Sequence, residues 1–267
     1  KVAWEKPEIE IVAVNDLGDI ANMAYLLKYD TVYRQWNHDI KIEGDSLLID
    51  GLAKDGASKK VKVLAQKDPS LLPWKDLNID VIVESTGLFT TYEKAKVHLD
   101  AGAKKVVISA PAKDGDGRAK GETILLGVNE EKFGTCDITS NASCTTNAAS
   151  PLIAILHEAI GIEKAVLNTV HGYTASQALV DGPSKKDMRE GRAAAQNIVP
   201  SSTGAAIAVT KAFPELTGLF DGISIRVPVS AGSIVDITFI AKRETTKEEV
   251  NEILKKAAAE ARWKNIF

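Results

Sequence analysis

The residues best equipped for chemistry lie in Ser140-Asn141-Ala142-Ser143-Cys144-Thr145-Thr146-Asn147. The surrounding pattern predicts a strand over 137–139 and a helix from about Asn147 onward. A cysteine at such a junction sits beside unpaired backbone N–H groups and the positive end of a helix dipole. Both favour the thiolate, which is the nucleophile. Ser143, Thr145 and Thr146 add hydroxyl donors suited to a phosphate or a developing oxyanion. The same residues also describe a buried, inert cysteine in a helix-entry turn. A reactive thiol needs a base, and His171 can supply one from His171-Gly172-Tyr173-Thr174, at the end of a predicted strand over 164–170.

Other groups suit anions. Ser202-Thr203-Gly204-Ala205-Ala206 opens a small-residue helix whose first N–H groups point outward. Arg226, between Ile225 and Val227 in a predicted strand over 222–229, requires a partner there; an anionic ligand and a buried carboxylate both fit. Asp16 follows a strand predicted over 9–14 and suits either a ribose hydroxyl or a helix cap. The G-x-G of Gly115-Asp116-Gly117 lies in a charged loop over 113–121, with Lys120 where a third glycine would stand. It does not make a dinucleotide fingerprint.

The elements that must position these groups alternate. Helices are predicted over 19–29, with Ile20, Met23, Leu26 and Leu27 on one face, and over 92–99. A hairpin is expected over 38–51 around Gly44-Asp45, with strands over 61–65, 81–84, 105–108 and 124–127. Small polar residues close several strands, on the edge where open α/β sheets bind ligands. The helix from Asn147 runs to about Ile160, burying Leu152, Ile155, Leu156 and Ala159, with Pro151 expected in its first turn. A long loop spans 181–197. Strands over 222–229 and 233–241 are expected to be antiparallel neighbours. Thr246 and Glu249 make a capping box for a last helix burying Val250, Ile253, Leu254 and Ala257.

Composition narrows the class. The 267 residues carry net charge −3, with lysines scattered through both halves. Neither nucleic-acid binding nor membrane insertion is expected, and the first residues do not read as a signal peptide, so a cytoplasmic location is. Two cysteines without C-x-x-C and four histidines without i, i+4 pairing argue against a disulfide framework or a metal site.

The cysteine motif, His171-Gly172-Tyr173-Thr174-Ala175-Ser176-Gln177, Ser-Thr-Gly-Ala-Ala at 202–206 and Arg-Val-Pro at 226–228 strongly resemble phosphorylating glyceraldehyde-3-phosphate dehydrogenase. Val-Asn-Asp at 14–16, Glu-Ser-Thr-Gly-Leu-Phe at 84–89 and Ser-Ala-Pro at 109–111 match too. The resemblance implies an α/β protein with a Rossmann-like parallel-sheet domain over 1–143 and an α+β catalytic domain with a mostly antiparallel sheet over 144–267. It implies that Cys144 attacks an aldehyde with His171 as base. Hydride passes to NAD, and phosphate cleaves the resulting thioester. Ser143, Thr145, Thr174, Thr203, Gly204 and Arg226 would bind the substrate phosphate and the attacking phosphate. On the cofactor side, Asp16 would hold the ribose, Lys67 would lie near the adenine and Ser109 near the nicotinamide ribose. An acid at Asp16 favours NAD over NADP. The implied partners are glyceraldehyde 3-phosphate, inorganic phosphate and three further copies in a homotetramer.

Departures from the family pattern shape the expectation. The first βα unit with its Gly-x-Gly-x-x-Gly turn is absent, as are later strands and a closing helix. The piece alone is therefore expected to turn over little or nothing. Lys67, Tyr33 and Ile207 are smaller departures. A relative acting on erythrose 4-phosphate and a non-catalytic binding remnant are the alternatives. A papain-like hydrolase would also pair Cys with His, but not with Thr174, Thr203 and Arg226.

Overall fold

The computed structural model describes residues 1–50, 58–113, 117–185 and 187–267. Two compact units emerge, one of residues 1–82 and 96–105, the other of 83–95 and 106–267. The predicted Gly115-Asp116-Gly117 turn has its first two residues outside the described ones.

In the first unit, strand β1 (Ala13–Asn15) is followed by helix α1 (Ile20–Lys28), the short pair β2 (Tyr29–Asp30) and β3 (Arg34–Gln35), then β4 (Ile40–Glu43), β5 (Ser46–Ile49) and β6 (Lys59–Leu64). The sheet order is β1-β6-β5-β4, with β1 parallel to β6 and the other pairs antiparallel. The β4–β5 hairpin turns at Gly44, whose φ of +59° suits a residue without a Cβ. The strand expected over 9–14 forms only at 13–15, where the ladder to β6 begins. Asp19, rather than Asp16, caps α1, its Oδ2 accepting the Asn22 amide at 2.9 Å. Leu26 is exposed, and Ala24 takes the buried place expected of it. Trp4, Leu47, Ile49 and Val61 form one core, and Leu72, Trp74 and Ile79 another.

A second sheet runs in the order β7 (Val81–Glu84), β8 (Lys105–Ile108), β10 (Ile138–Ser140), β9 (Gly121–Thr123), and helix α2 (Tyr92–Asp100) lies between β7 and β8 in sequence. β10 is parallel to both β8 and β9. The strand expected over 124–127 is displaced to 121–123. Ile124 and Leu125 are buried in the turn that follows, where the Asn129 side chain accepts the Leu125 amide at 2.7 Å. Their apolarity reports burial, which a strand and a turn share.

The rest of the second unit packs helix α3 (Cys144–Ile160) and helix α4 (Ala205–Thr210) on a sheet of order β12-β13-β11-β14. Its strands are β11 (Ile162–Gly172), β12 (Val199–Ser202), β13 (Phe220–Val227) and β14 (Ser233–Ala241). β13 and β14 are not neighbours, because β11 lies between them, parallel to β13 and antiparallel to β14. β12 was not anticipated. Ile153, Leu156, Leu167 and Val209 pack at the centre. α3 is covered on several sides, so Ile153 and Ile160 are buried while Ala159 is exposed. The expected loop over 181–197 contains two short 3-10 turns and is tied at Gly182 to Gly191 by a 2.9 Å backbone bond.

Helix α5 (Lys247–Ala258) lays Val250, Ile253 and Leu254 on the same core. Thr246 caps it, accepting the Glu249 amide at 3.1 Å, but the reciprocal half of the capping box is missing. The Glu249 carboxylate instead takes Arg243 at 2.7 Å and the Thr245 hydroxyl at 2.7 Å. A guanidinium is the stronger donor.

Candidate active site

The chain leaves β10 through Ala142, which adopts φ +54° while buried, and enters α3 two residues later, after the cap Ser143. A left-handed non-glycine is a local cost of about 1 kcal/mol, here offset by the cap that follows. Ser143 Oγ accepts the Thr146 amide at 3.0 Å, and Asn147 Nδ2 donates back to the Asn141 and Ser143 carbonyls at 2.8 and 2.9 Å. Helix α3 therefore starts at Cys144, three residues earlier than expected, and Pro151 falls in its interior rather than its first turn. Nearby, the Ser150 hydroxyl donates to the Thr146 carbonyl at 2.7 Å. Cys144 is the first helical residue, on the positive end of a 17-residue helix.

Cys144 is exposed, and its Sγ lies 3.2 Å from His171 Nε2. The buried, inert reading fits Cys136, whose Sγ donates to the Ile138 carbonyl at 3.2 Å. His171 is the penultimate residue of β11, directly paired across the parallel ladder with Arg226 of β13. Its Nδ1 lies 2.7 Å from the Gly172 carbonyl oxygen and 2.6 Å from Arg226 Nη1. Among the described residues Arg226 has no carboxylate partner, and its buried Nε is unpaired. The buried-acid reading of Arg226 is thereby removed.

Ser143, Cys144, Thr145, His171, Thr203, Gly204 and Arg226 line one cavity of about 200 Å³. Thr174 does not line it; its hydroxyl lies 3.0 Å from that of Ser176 in the turn after β11. Ser202, from the motif over 202–206, lines it as well, as do Thr169 and Ser224, which were missed. Thr169 and Ser224 stand two residues before His171 and Arg226 and pair with each other, so the period-2 alternation of a strand was the available signal. α4 has only six residues, and Gly204 caps it with no side-chain bond.

The expected cofactor residues lie at strand ends, Asp16 and Lys67 in the first unit and Ser109 in the second. Asp16 is exposed just beyond β1, with Oδ1 accepting the Gly18 amide at 2.7 Å. Asn15 and Gln66 clamp the ends of β1 and β6 by bonds of 3.0 and 2.9 Å, a feature not read from sequence. Lys67 is exposed in the turn that follows β6. In the other unit, Ser109 Oγ lies 3.1 Å from both the Glu84 carbonyl and Ser85 Oγ. An acceptor-only carboxylate at the carboxyl end of a parallel strand fits the hydroxyl donors of a ribose.

Two family models match. The NAD-binding domain of glyceraldehyde 3-phosphate dehydrogenase matches residues 1–92, and its C-terminal domain matches residues 143–267. The chain is 49% identical over 269 residues to the glyceraldehyde-3-phosphate dehydrogenase of Mycolicibacterium smegmatis, covering 100% of this chain and 75% of that protein. It is 49% identical over 250 residues to glyceraldehyde-3-phosphate dehydrogenase B of Aspergillus oryzae, covering 93% and 71%. The Streptomyces coelicolor relative is 46% identical over 262 residues, covering 97% and 74%. The chain belongs to the glyceraldehyde-3-phosphate dehydrogenase family. It is an NAD-dependent oxidoreductase with a Rossmann-type cofactor domain and a mostly antiparallel catalytic sheet. Among the described residues no helix is long and apolar enough to cross a membrane, and no cluster of His, Cys, Asp or Glu is placed to hold a metal.

Proposed function

We propose that the chain oxidises glyceraldehyde 3-phosphate and transfers the acyl group to inorganic phosphate, giving 1,3-bisphosphoglycerate. The observation that carries this reading is the Cys144 thiol 3.2 Å from His171 Nε2 at a helix N-terminus, in a cavity that also holds Arg226. His171 takes the thiol proton and returns it to the aldehyde oxygen as Cys144 Sγ attacks the aldehyde carbon, giving a hemithioacetal and a neutral imidazole. NAD, when bound, supplies the hydride acceptor. His171 removes the hydroxyl proton of the hemithioacetal, so that a thioester is left on Cys144. Phosphate oxygen then attacks the thioester carbon, the C–S bond breaks and the thiolate returns. The amides at the start of α3 favour the returning thiolate.

Ser143, Thr145, Thr203, Gly204 and Arg226 hold the two anions in this reading, and Thr174, outside the cavity, would join them only on movement of the turn after β11. A guanidinium with a buried, unpaired Nε supports that role. Asp16 takes the adenosine ribose, Lys67 the adenine end and Ser109 the nicotinamide ribose. Residues 1–143 form the cofactor domain and 144–267 the catalytic domain. A homotetramer is supported by the outer face of the catalytic sheet, where Val166, Ile223, Ile234 and Ile240 are exposed together. The cytoplasm, where the cysteines stay reduced, is the proposed location.

The test is NADH formation by the protein from its native source with glyceraldehyde 3-phosphate and with erythrose 4-phosphate, each with and without phosphate. Phosphate-dependent turnover with a higher kcat/KM for the three-carbon aldehyde is expected. A preference for erythrose 4-phosphate, or turnover indifferent to phosphate, would overturn the reading.

A further inference from the structure

We propose that Arg226 is a positioning residue for His171, and that an anion drawing Arg226 away sets the imidazole in the tautomer able to accept the Cys144 proton. This rests on the reading that Arg226 binds an anion.

Two neighbours compete for one ring nitrogen. His171 Nδ1 is 2.7 Å from the Gly172 carbonyl oxygen and 2.6 Å from Arg226 Nη1. The carbonyl only accepts and the guanidinium only donates, while the nitrogen of a neutral imidazole does one or the other. When Nδ1 accepts from Arg226, the ring proton sits on Nε2, the atom that faces Cys144 Sγ at 3.2 Å. That Nε2 has no lone pair in the ring plane with which to take the thiol proton. When Nδ1 carries the proton and donates to Gly172, Nε2 is free to act as base.

Arg226 decides between the two states. It is paired with His171 across the β11–β13 ladder, so its side chain meets the imidazole by register. Nη1 also reaches the Gly172 oxygen, at 3.3 Å, and so competes for the carbonyl that Nδ1–H would use. Nε is buried and unpaired, so a guanidinium turned towards an anion in the cavity has a donor to gain. The proton count is conserved. Nε2 gives its proton to water and Nδ1 takes one up, leaving the ring neutral. The thiol proton then moves to Nε2, giving thiolate and an imidazolium whose Nδ1–H stays on Gly172. The base is thus armed when an anion arrives.

The experiment is 15N NMR of the histidine-labelled chain with and without saturating inorganic phosphate, with His171→Asn assigning the signals. Phosphate binding is followed separately by 31P line broadening. Without phosphate, Nδ1 is expected at the unprotonated position and Nε2 at the protonated one, and phosphate exchanges the two. In Arg226→Met, which keeps the apolar stem, Nδ1 is expected to be protonated under both conditions. Bound phosphate with an unchanged tautomer in the natural chain overturns this inference alone. Absence of phosphate binding in the natural chain removes the anion-site reading and the inference together.

Discussion

Around Cys144 the groups closest to the thiol are fixed by regular elements: the thiol by the first turn of α3, His171 and Arg226 by facing positions on β11 and β13. Asp16, Lys67 and Ser109 lie instead beyond strand ends and hold, at most, nearby groups such as the Gly18 amide or the Glu84 carbonyl. The first region fixes distances between reacting atoms, whereas the second offers separate contacts to a ligand that supplies its own connectivity. Substitutions in the first should therefore abolish rate, and those in the second should alter affinity and choice of cofactor.

The sharpest break of that comparison is Cys144→Ser, whose hydroxyl is not ionised by a helix N-terminus. Steady-state NADH formation should vanish while circular dichroism stays unchanged; retained turnover would move the chemistry away from this cavity. His171→Asn should lower kcat by roughly 10²- to 10⁴-fold, the range of general acid–base catalysis. A change confined to KM would demote His171 to a binding group. At the strand ends the effect should be smaller and of another kind. Asp16→Asn is expected to narrow the kcat/KM preference for NAD over NADP by roughly tenfold, about 1.4 kcal/mol. Loss of kcat with the preference intact would contradict the division between the two regions.

Away from both regions, Thr246→Ala removes the cap of α5 and should cost about 1 kcal/mol in urea unfolding, with activity unchanged. The smallest effects concern pH. Side-chain hydrogen bonds from Arg243 and Thr245 hold the Glu249 carboxyl down at about 2, against an ordinary 4.5. Its contribution should be complete above pH 4.5 and fade as the pH falls towards 2. His38 runs the other way. Burial opposes its charge, but hydrogen bonds to Glu5 and Asp50 outweigh it and raise its pKa above the ordinary 6.5. Its contribution should be full below pH 6.5 and disappear as the pH rises through the raised value. Unfolding midpoints of Glu249→Gln and His38→Gln against the natural chain, measured across pH, would show both signs.

Much of this was readable residue by residue. α1 and α2 fall within a residue of the spans predicted for them, and α5 begins right after the cap read at Thr246, because each of these signals is local. Where reading failed, the cause lay in distant partners. Ile124 and Leu125 looked like a strand because burial in a turn leaves the same apolar signature. β13 and β14 alternate as antiparallel strands do, yet alternation says nothing of which strand comes between them. Thr169 and Ser224 are ordinary strand hydroxyls until the sheet opens their row into the cavity.

The types and order of the residues by themselves singled out Cys144 as candidate nucleophile, His171 as its candidate base, the acid at Asp16 and the resemblance that names the family, since these depend on side-chain chemistry and short spacings. Tertiary structure alone decided that Cys144 is exposed at the first turn of α3, that Thr174 stands outside the cavity, and that Arg226 meets His171 rather than a carboxylate. Those outcomes follow from the register between β11 and β13, a pairing across 55 positions of chain that no local pattern encodes.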